Sequence, residues 1–363
     1  MFLVVLLALA AAAVGVWGWQ HYRAFQSQPL PGLKPDQTAQ VRPGDSFRGV
    51  LAQLRAQGIT TGADIEWQLL ARQLDAAGKL KVGEYALEPG ITTPRTLLQA
   101  MRAGRTIQHR FTLVEGWNIR QLRAALNAAT PLQHETAQLD DAALMERLGH
   151  AGQHPEGRFL PETYLYARGD SDLDVLKRAH ADMDRTLATL WAARAPDLPL
   201  DSPDQALALA SIVEKETAIA EERAQIAGVF VRRLRLGMKL QTDPTVIYGI
   251  GSRYDGNIRR SDLTTDTPYN TYTRTGLTPT PIAMPGRAAL EAALHPADGD
   301  ALYFVALGDG SGRHVFSATL DQHNAAVRQY LDRLRRPPLP EDTAAPVIDA
   351  QAAPPQESKA KQP

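Results

Sequence analysis

The chain has 363 residues, 39 Lys and Arg against 40 Asp and Glu, a formal net charge of -1 and no cysteine. That length accommodates two or three domains with their own hydrophobic cores. The balanced charge gives no basic footprint for nucleic acid, and the lack of cysteine removes disulfides, thiolate zinc sites and thiol nucleophiles together.

The amino terminus, MFLVVLLALAAAAVGVWGW, carries no charged side chain from Phe2 to Trp19. This matches the ~20 apolar residues that cross a bilayer as a helix, and Trp17 and Trp19 stand where interfacial aromatics belong. Residues 1–20 are therefore predicted to be a retained transmembrane anchor rather than a cleaved signal peptide. No Lys or Arg precedes the run, whereas His21 and Arg23 follow it. Charge alone would thus leave the bulk of the chain cytoplasmic, and an upstream start would be needed to supply basic residues. Residues 21–40, with several prolines and many polar side chains, read as a linker.

Residues 41–110 are predicted to form one small α+β unit. Ser46 caps a helix bearing Phe47, Val50, Leu51 and Leu54 at helical spacing. A second helix runs to Gly78. KVGEYAL alternates as a strand with Val82, Tyr85 and Leu87 as its apolar residues, and a helix from Thr93 and Pro94 ends at Gly104. VRPGDSF and this order of elements resemble a LysM-like βααβ module, which would bind N-acetyl sugars. A strand follows in RTIQHRFTLVEGW. Residues 111–200, including HPEGRFLPETYLY, read as a helical connector, 201–335 as an α+β catalytic domain, and the Pro/Ala-rich residues 336–363 as a disordered tail.

The catalytic block opens on DSPDQALALASIVEKETAIAEER, with Ser202 as N-cap, Pro203 at N1 and Gln205 completing a capping box. At 100° per residue, Leu209, Ile212, Val213, Ile219 and Ala220 share one face with Glu216 at its centre, and Glu214 falls nearly opposite. A carboxyl on an apolar face loses hydration and keeps its proton to higher pH, which suits a general acid. Periodicity therefore nominates Glu216. A buried ion pair between Glu216 and a cation such as Arg223 stays open. MKLQTDPTVIYGIG, read as strand and turn, supplies Gln241, Thr242, Asp243 and Tyr248. Residues 263–286 supply Tyr269, Asn270, Thr271, Tyr272 and Thr273, a mixture that suits sugar rings. ALYFVALGDGSGRHVF reads as a β-hairpin, closed by a helix. The histidines show no HExxH or other paired metal spacing, and no phosphate loop or nucleophile elbow occurs. Neither a metal nor a cofactor is expected.

SIVEKETA, RLRLGMKLQTDPTVIYG, YNTYTRTGL, ALHPADGDALYFVA and EGRFLPETY together resemble the endolytic murein transglycosylases of the YceG-like (MltG) family, over most of the chain. The resemblance implies an inner-membrane protein with a single anchor and its bulk on the periplasmic side. It implies peptidoglycan glycan strands as substrate, peptidoglycan synthases as partners, and no nucleic acid. The family's catalytic glutamate is the second of EKET, here Glu216. The implied reaction cleaves the bond between N-acetylmuramic acid and N-acetylglucosamine with formation of a 1,6-anhydro end. Gln241, Thr242, Tyr248, Asn270 and Tyr272 are the candidate substrate-binding residues. Related sequences also carry the label aminodeoxychorismate lyase, but no site for pyridoxal phosphate is seen. Two rival readings are a wall-binding scaffold without catalysis and a hydrolase using Asp243 or Glu214 as a second carboxylate.

Overall fold

A computed structural model describes residues 1–59 and 61–335. Among the described residues, helices dominate and three two-stranded antiparallel sheets are interspersed. The Pro/Ala-rich tail expected to be disordered lies outside the described residues.

Helix α1 (Phe2–Ser27) is long and apolar enough to cross a membrane by length and composition. It continues past Trp19, and its last turn is not a free linker. Phe25 is buried edge-on against Trp67, with ring centroids 5.4 Å apart. The Tyr22 hydroxyl donates to Gln73 Oε1 at 3.0 Å, and Arg95 donates to Gln26 Oε1. Leu30 is also buried, and its N–H donates to Thr92 O. The expected linker 21–40 is thus docked, because Tyr22, Phe25 and Leu30 carry enough apolar surface to seat it.

The core it joins is built from β1 (Thr38–Val41), α2 (Phe47–Ala56), α3 (Asp64–Gln73), β2 (Gly83–Ala86) and α4 (Pro94–Ala103). β1 pairs with β2 in the register Thr38↔Ala86 to Val41↔Gly83. The predicted caps form: the Ser46 side chain accepts from Gly49 N–H at 3.1 Å, Thr93 accepts from Thr96 N–H, and Gly104 closes α4 in the left-handed region at φ 72°. Tyr85 and Leu87 are buried, and Val82 precedes the strand and is exposed.

A second core gathers β3 (Gln108–Thr112), α5 (Ile119–Ala128), α6 (Asp141–Leu148), β4 (Thr163–Ala167) and α7 (Asp172–Ala192). β4 comes from the stretch read as helical connector and pairs with β3, Gln108↔Ala167 to Thr112↔Thr163. A division at residue 110 would cut β3. TYLYA is short and follows a proline loop, which weakens its strand signal.

Helix α8 (Pro203–Glu216) packs against α7, α9 (Arg223–Arg235), α10 (Asp243–Ile250) and α12 (Arg287–Leu294), and residues 206–213 are all buried. A short α11 (Arg260–Thr264) precedes the loop that leads to α12. A second compact unit begins at Ala301, inside the block read as one catalytic domain. It holds the predicted hairpin, β5 (Tyr303–Ala306) with β6 (His314–Ser317), and helix α13 (Leu320–Arg335) packed on it.

Candidate active site

Glu216 is the last residue of α8; the helix stops there because Thr217 turns extended at φ -148° and ψ 137°. Ile219 and Ala220 lie beyond the helix, so the single apolar face drawn through them does not exist. α8 is instead buried on all sides over 206–213, and the half-buried Glu216 emerges at its end.

There it meets the start of α10. The Thr242 hydroxyl donates to Glu216 Oε1. Thr242 is itself buried and held by a cluster of threonines. Its N–H donates to Thr271 Oγ1 at 3.1 Å, its carbonyl accepts from Thr245 Oγ1 at 2.8 Å, and the Thr245 and Thr271 hydroxyls stand 2.9 Å apart. Thr242 occupies the N-cap position of α10 but makes no side-chain cap bond; its hydroxyl serves the carboxyl group instead. Gln241, just before it, is exposed and held at φ 49°, a conformation uncommon for a residue with a side chain. Such strain clusters at functional sites.

The Tyr272 hydroxyl donates to Asp243 Oδ1 at 2.6 Å. Burial raises the Tyr272 phenol, and the Asp243 bond and the charges of Asp243 and Glu216 raise it further. It is therefore a neutral hydrogen-bond donor beside two carboxyl groups. Thr242 and Tyr272 are thus brought to Glu216, with Asp243 one hydrogen bond beyond Tyr272 and Gln241 next to Thr242 in the chain.

Tyr248 and Asn270 are committed elsewhere. The Asn270 amide, 1% exposed, donates to the carbonyls of Asp262, Leu263 and Thr265 and accepts from Tyr272 N–H. Its two amide protons and one acceptor position of its oxygen are spent on folding the loop. The Tyr248 hydroxyl donates to Glu156 Oε2 at 3.0 Å, and its ring meets Tyr269 edge-on at 4.9 Å.

Glu156 carries no sequence periodicity and was missed; the only signal was an acid inside HPEGRFLPETY. It is fully buried, with both oxygens facing Ile119 N–H at the start of α5, at 3.0 and 3.2 Å. Burial pushes its carboxyl up to about 7, against the pull of the Ile119 N–H, Tyr248 and Arg120. Gly157 beside it, at φ 78°, leaves no room for a Cβ against the Pro281 ring.

Glu214 is closely enclosed, with its side chain 6% exposed. Its Oε2 accepts from Gly286 N–H at 2.9 Å, and Arg223 stands 4.0 Å from Oε1 and 3.9 Å from Glu115. Burial raises its carboxyl, and neighbouring Glu115 adds to the rise. Lys215 donates to Gly116 O at 3.3 Å. These residues tie α8 to the loop after β3 and to the start of α12, so Arg223 sits with Glu214 and Glu115. The Glu214 side chain is not on the surface. Among the described residues, donor atoms suited to a metal gather at His150, His180 and Asp184.

Residues 39–329 match the sequence model of the YceG-like family. The chain is 31% identical over 306 residues to the endolytic murein transglycosylase of Bacillus subtilis, covering 80% of this chain and 83% of that protein. It is 27% identical over 285 residues to the endolytic murein transglycosylase of Streptococcus pneumoniae D39, covering 70% of this chain and 51% of the relative. The crystal structure of a YceG-like protein from Listeria monocytogenes superposes with a TM-score of 0.50 at 28% identity, over 80% of this chain and 98% of that one.

Proposed function

This chain belongs to the YceG-like family, and on that premise we propose that it is a peptidoglycan lytic transglycosylase that cuts nascent glycan strands internally. The observation that carries the reading is the Glu216 carboxyl at the end of a buried helix, held by Thr242 and grouped with Tyr272, Asp243 and the strained Gln241.

A glycosidase that uses water normally needs two carboxyl groups. A transglycosylase can use one twice. Glu216 donates its proton to the glycosidic oxygen between N-acetylmuramic acid and N-acetylglucosamine as the C1–O bond breaks. The substrate's own acetamido group supports the positive charge developing at C1. The Glu216 carboxylate then takes the proton from the C6 hydroxyl, whose oxygen bonds to C1. The proton borrowed is returned, no water is consumed, and the product ends in 1,6-anhydromuramic acid. Thr242 fixes the rotation of the carboxyl group, and Gln241 and the neutral Tyr272 hydroxyl read the sugar. Tyr248, turned toward Glu156, shapes the wall rather than reading a substituent.

The same reading makes the β1–α2–α3–β2 unit a LysM-like module for N-acetyl sugars. It also makes α1 a single-pass anchor in the inner membrane with the bulk on the periplasmic side, in reach of peptidoglycan synthases. One observation favours a second reaction: Asp243 lies one hydrogen bond from a tyrosine that also feels the Glu216 charge. In a hydrolase it could activate water.

The test is mass spectrometry of glycan products from the full-length protein in detergent, wild type beside Glu216→Gln, Glu214→Gln and Asp243→Asn. Anhydro-ended products that vanish in the Glu216 variant and persist in the other two are expected. Products one water heavier, lost with Asp243, would establish the hydrolase. Anhydro products from Glu216→Gln at the wild-type rate would overturn the assignment.

A further inference from the structure

Three side chains of the segment between β3 and α8 converge without sharing a sequence motif. His150 follows the Gly149 cap of α6 and is placed by its own N–H, which donates to Met145 O at 2.7 Å. His180 and Asp184 lie one turn apart on α7. One donor atom from each of the three lies within 4.8 Å of the others.

The hydrogen bonding around His180 is specific. The residue is 1% exposed. Gln153 Oε1 stands 3.1 Å from His180 Nε2 and accepts its N–H, which leaves a lone pair on Nδ1. Asp184 Oδ2 is 3.2 Å from that Nδ1, yet Nδ1 has no hydrogen-bond partner, because the oxygen stands to one side of the ring's N–H direction. A lone pair and a carboxylate oxygen side by side repel unless a cation lies between them. Two ligand atoms each about 2.0–2.1 Å from a tetrahedral zinc ion stand about 3.3 Å apart, close to the separation seen. An outer carbonyl that holds the far ring nitrogen is the usual support of a metal-bound histidine. His150 lies over the His180 ring, with centroids 3.8 Å apart and planes 24° from parallel. It is half-buried, so a turn about its side-chain bonds can bring a nitrogen to the same point.

We propose that His150, His180 and Asp184 bind a divalent transition metal ion, zinc above all, with Gln153 orienting His180 and water completing a tetrahedron. Two imidazoles and a carboxylate suit zinc better than calcium or magnesium, which take oxygen ligands. The ion ties the end of α6 to the middle of α7, and half-exposed Asp184 gives it a way in. Its role is structural, separate from the chemistry at Glu216.

The test uses the full-length protein in detergent, stripped with a chelator and titrated with Co2+ and then Zn2+. One equivalent of Co2+ should give the intense visible bands of a tetrahedral site, and Zn2+ should displace it. His150→Ala and Asp184→Asn, both at partly exposed positions, should each weaken binding at least about tenfold, and Gln153→Ala by roughly tenfold. Thermal melts guard against misfolding. The chelated variants should melt with the chelated wild type, and at a given zinc concentration the ion should raise the melting temperature of the wild type more than that of any variant. Absence of saturable one-equivalent binding would overturn the proposal. So would binding that both His150→Ala and Asp184→Asn leave unchanged, since the ion would then sit elsewhere.

Discussion

Glu214 and Glu216 stand two residues apart and live in different surroundings. Glu214 is enclosed by Gly286, Arg223 and Glu115, and Glu216 stands at the helix end under the Thr242 hydroxyl. Glu214→Ala leaves the Gly286 N–H without its acceptor and removes one of the two carboxylates beside the largely buried Arg223. It should cost about 2–3 kcal/mol of stability in urea unfolding, whereas Glu216→Gln should leave the unfolding midpoint almost unmoved. Thr242→Val removes the hydroxyl that orients Glu216 but no cap bond, since none is made. It should lower kcat roughly 5- to 30-fold, equivalent to about 1–2 kcal/mol of barrier, with little loss of stability.

Glu156 gives a pH signature at the same scale. In the folded chain its carboxyl holds a proton up to about 7, whereas an ordinary glutamate gives it up at 4.5. Its contribution to stability is therefore fully present below about pH 4.5 and is lost as pH rises through about 7. The shift corresponds to about 3 kcal/mol. Urea unfolding at pH 5 and pH 8 should show the wild type losing more stability than Glu156→Gln by an amount of that order. Equal losses in the two proteins would mean that Glu156 ionises as easily when folded as when unfolded.

At the scale of elements, capping chemistry was legible and burial was not. Ser46, Thr93 and Ser202 each accept the predicted backbone N–H, because a cap depends on neighbours three residues away. The end of α8 was not legible, since nothing in KETAIA breaks a helix by propensity. The loop after it is fixed by local bonds such as Thr217 Oγ1 accepting Ile219 N–H at 2.9 Å. α10 forms in a stretch whose β-branched Thr245, Val246 and Ile247 read as strand and turn. Pro244 in its first turn is the helix signal in that stretch. α9 illustrates a constraint that only packing sets. A Cβ on Gly228 would collide with the Ala297 carbonyl, which also accepts from Arg232 at 3.0 Å. Gly228→Ala should destabilise by about 1–3 kcal/mol despite its better helix propensity, as read from the unfolding midpoint.

For the molecule as a whole, the foot of α1 is part of the first core. A soluble chain that begins at residue 30 loses Phe25 from its place on Trp67 and Gln26 from Arg95. A chain that begins at residue 20 keeps both. The shorter one should be less stable by about 2–3 kcal/mol, the worth of a buried phenylalanine, as measured by urea unfolding of the two side by side.

From the sequence alone one could read the apolar amino-terminal helix, the capped helices, the carboxy-terminal hairpin and the nomination of Glu216. Each rests on periodicity or on contacts only a few residues apart, or on long ordered motifs shared with the YceG-like family. The tertiary structure alone decided what surrounds the carboxyl groups. It gave Glu216 its Thr242 partner, enclosed Glu214, spent the Asn270 amide inside its loop, and brought Glu156 to Tyr248 and His150 to His180. The physical reason is that desolvation and hydrogen bonding depend on groups far apart in the chain. Of the two acids in EKET, periodicity pointed to Glu216 by way of an apolar face that the folded chain does not have.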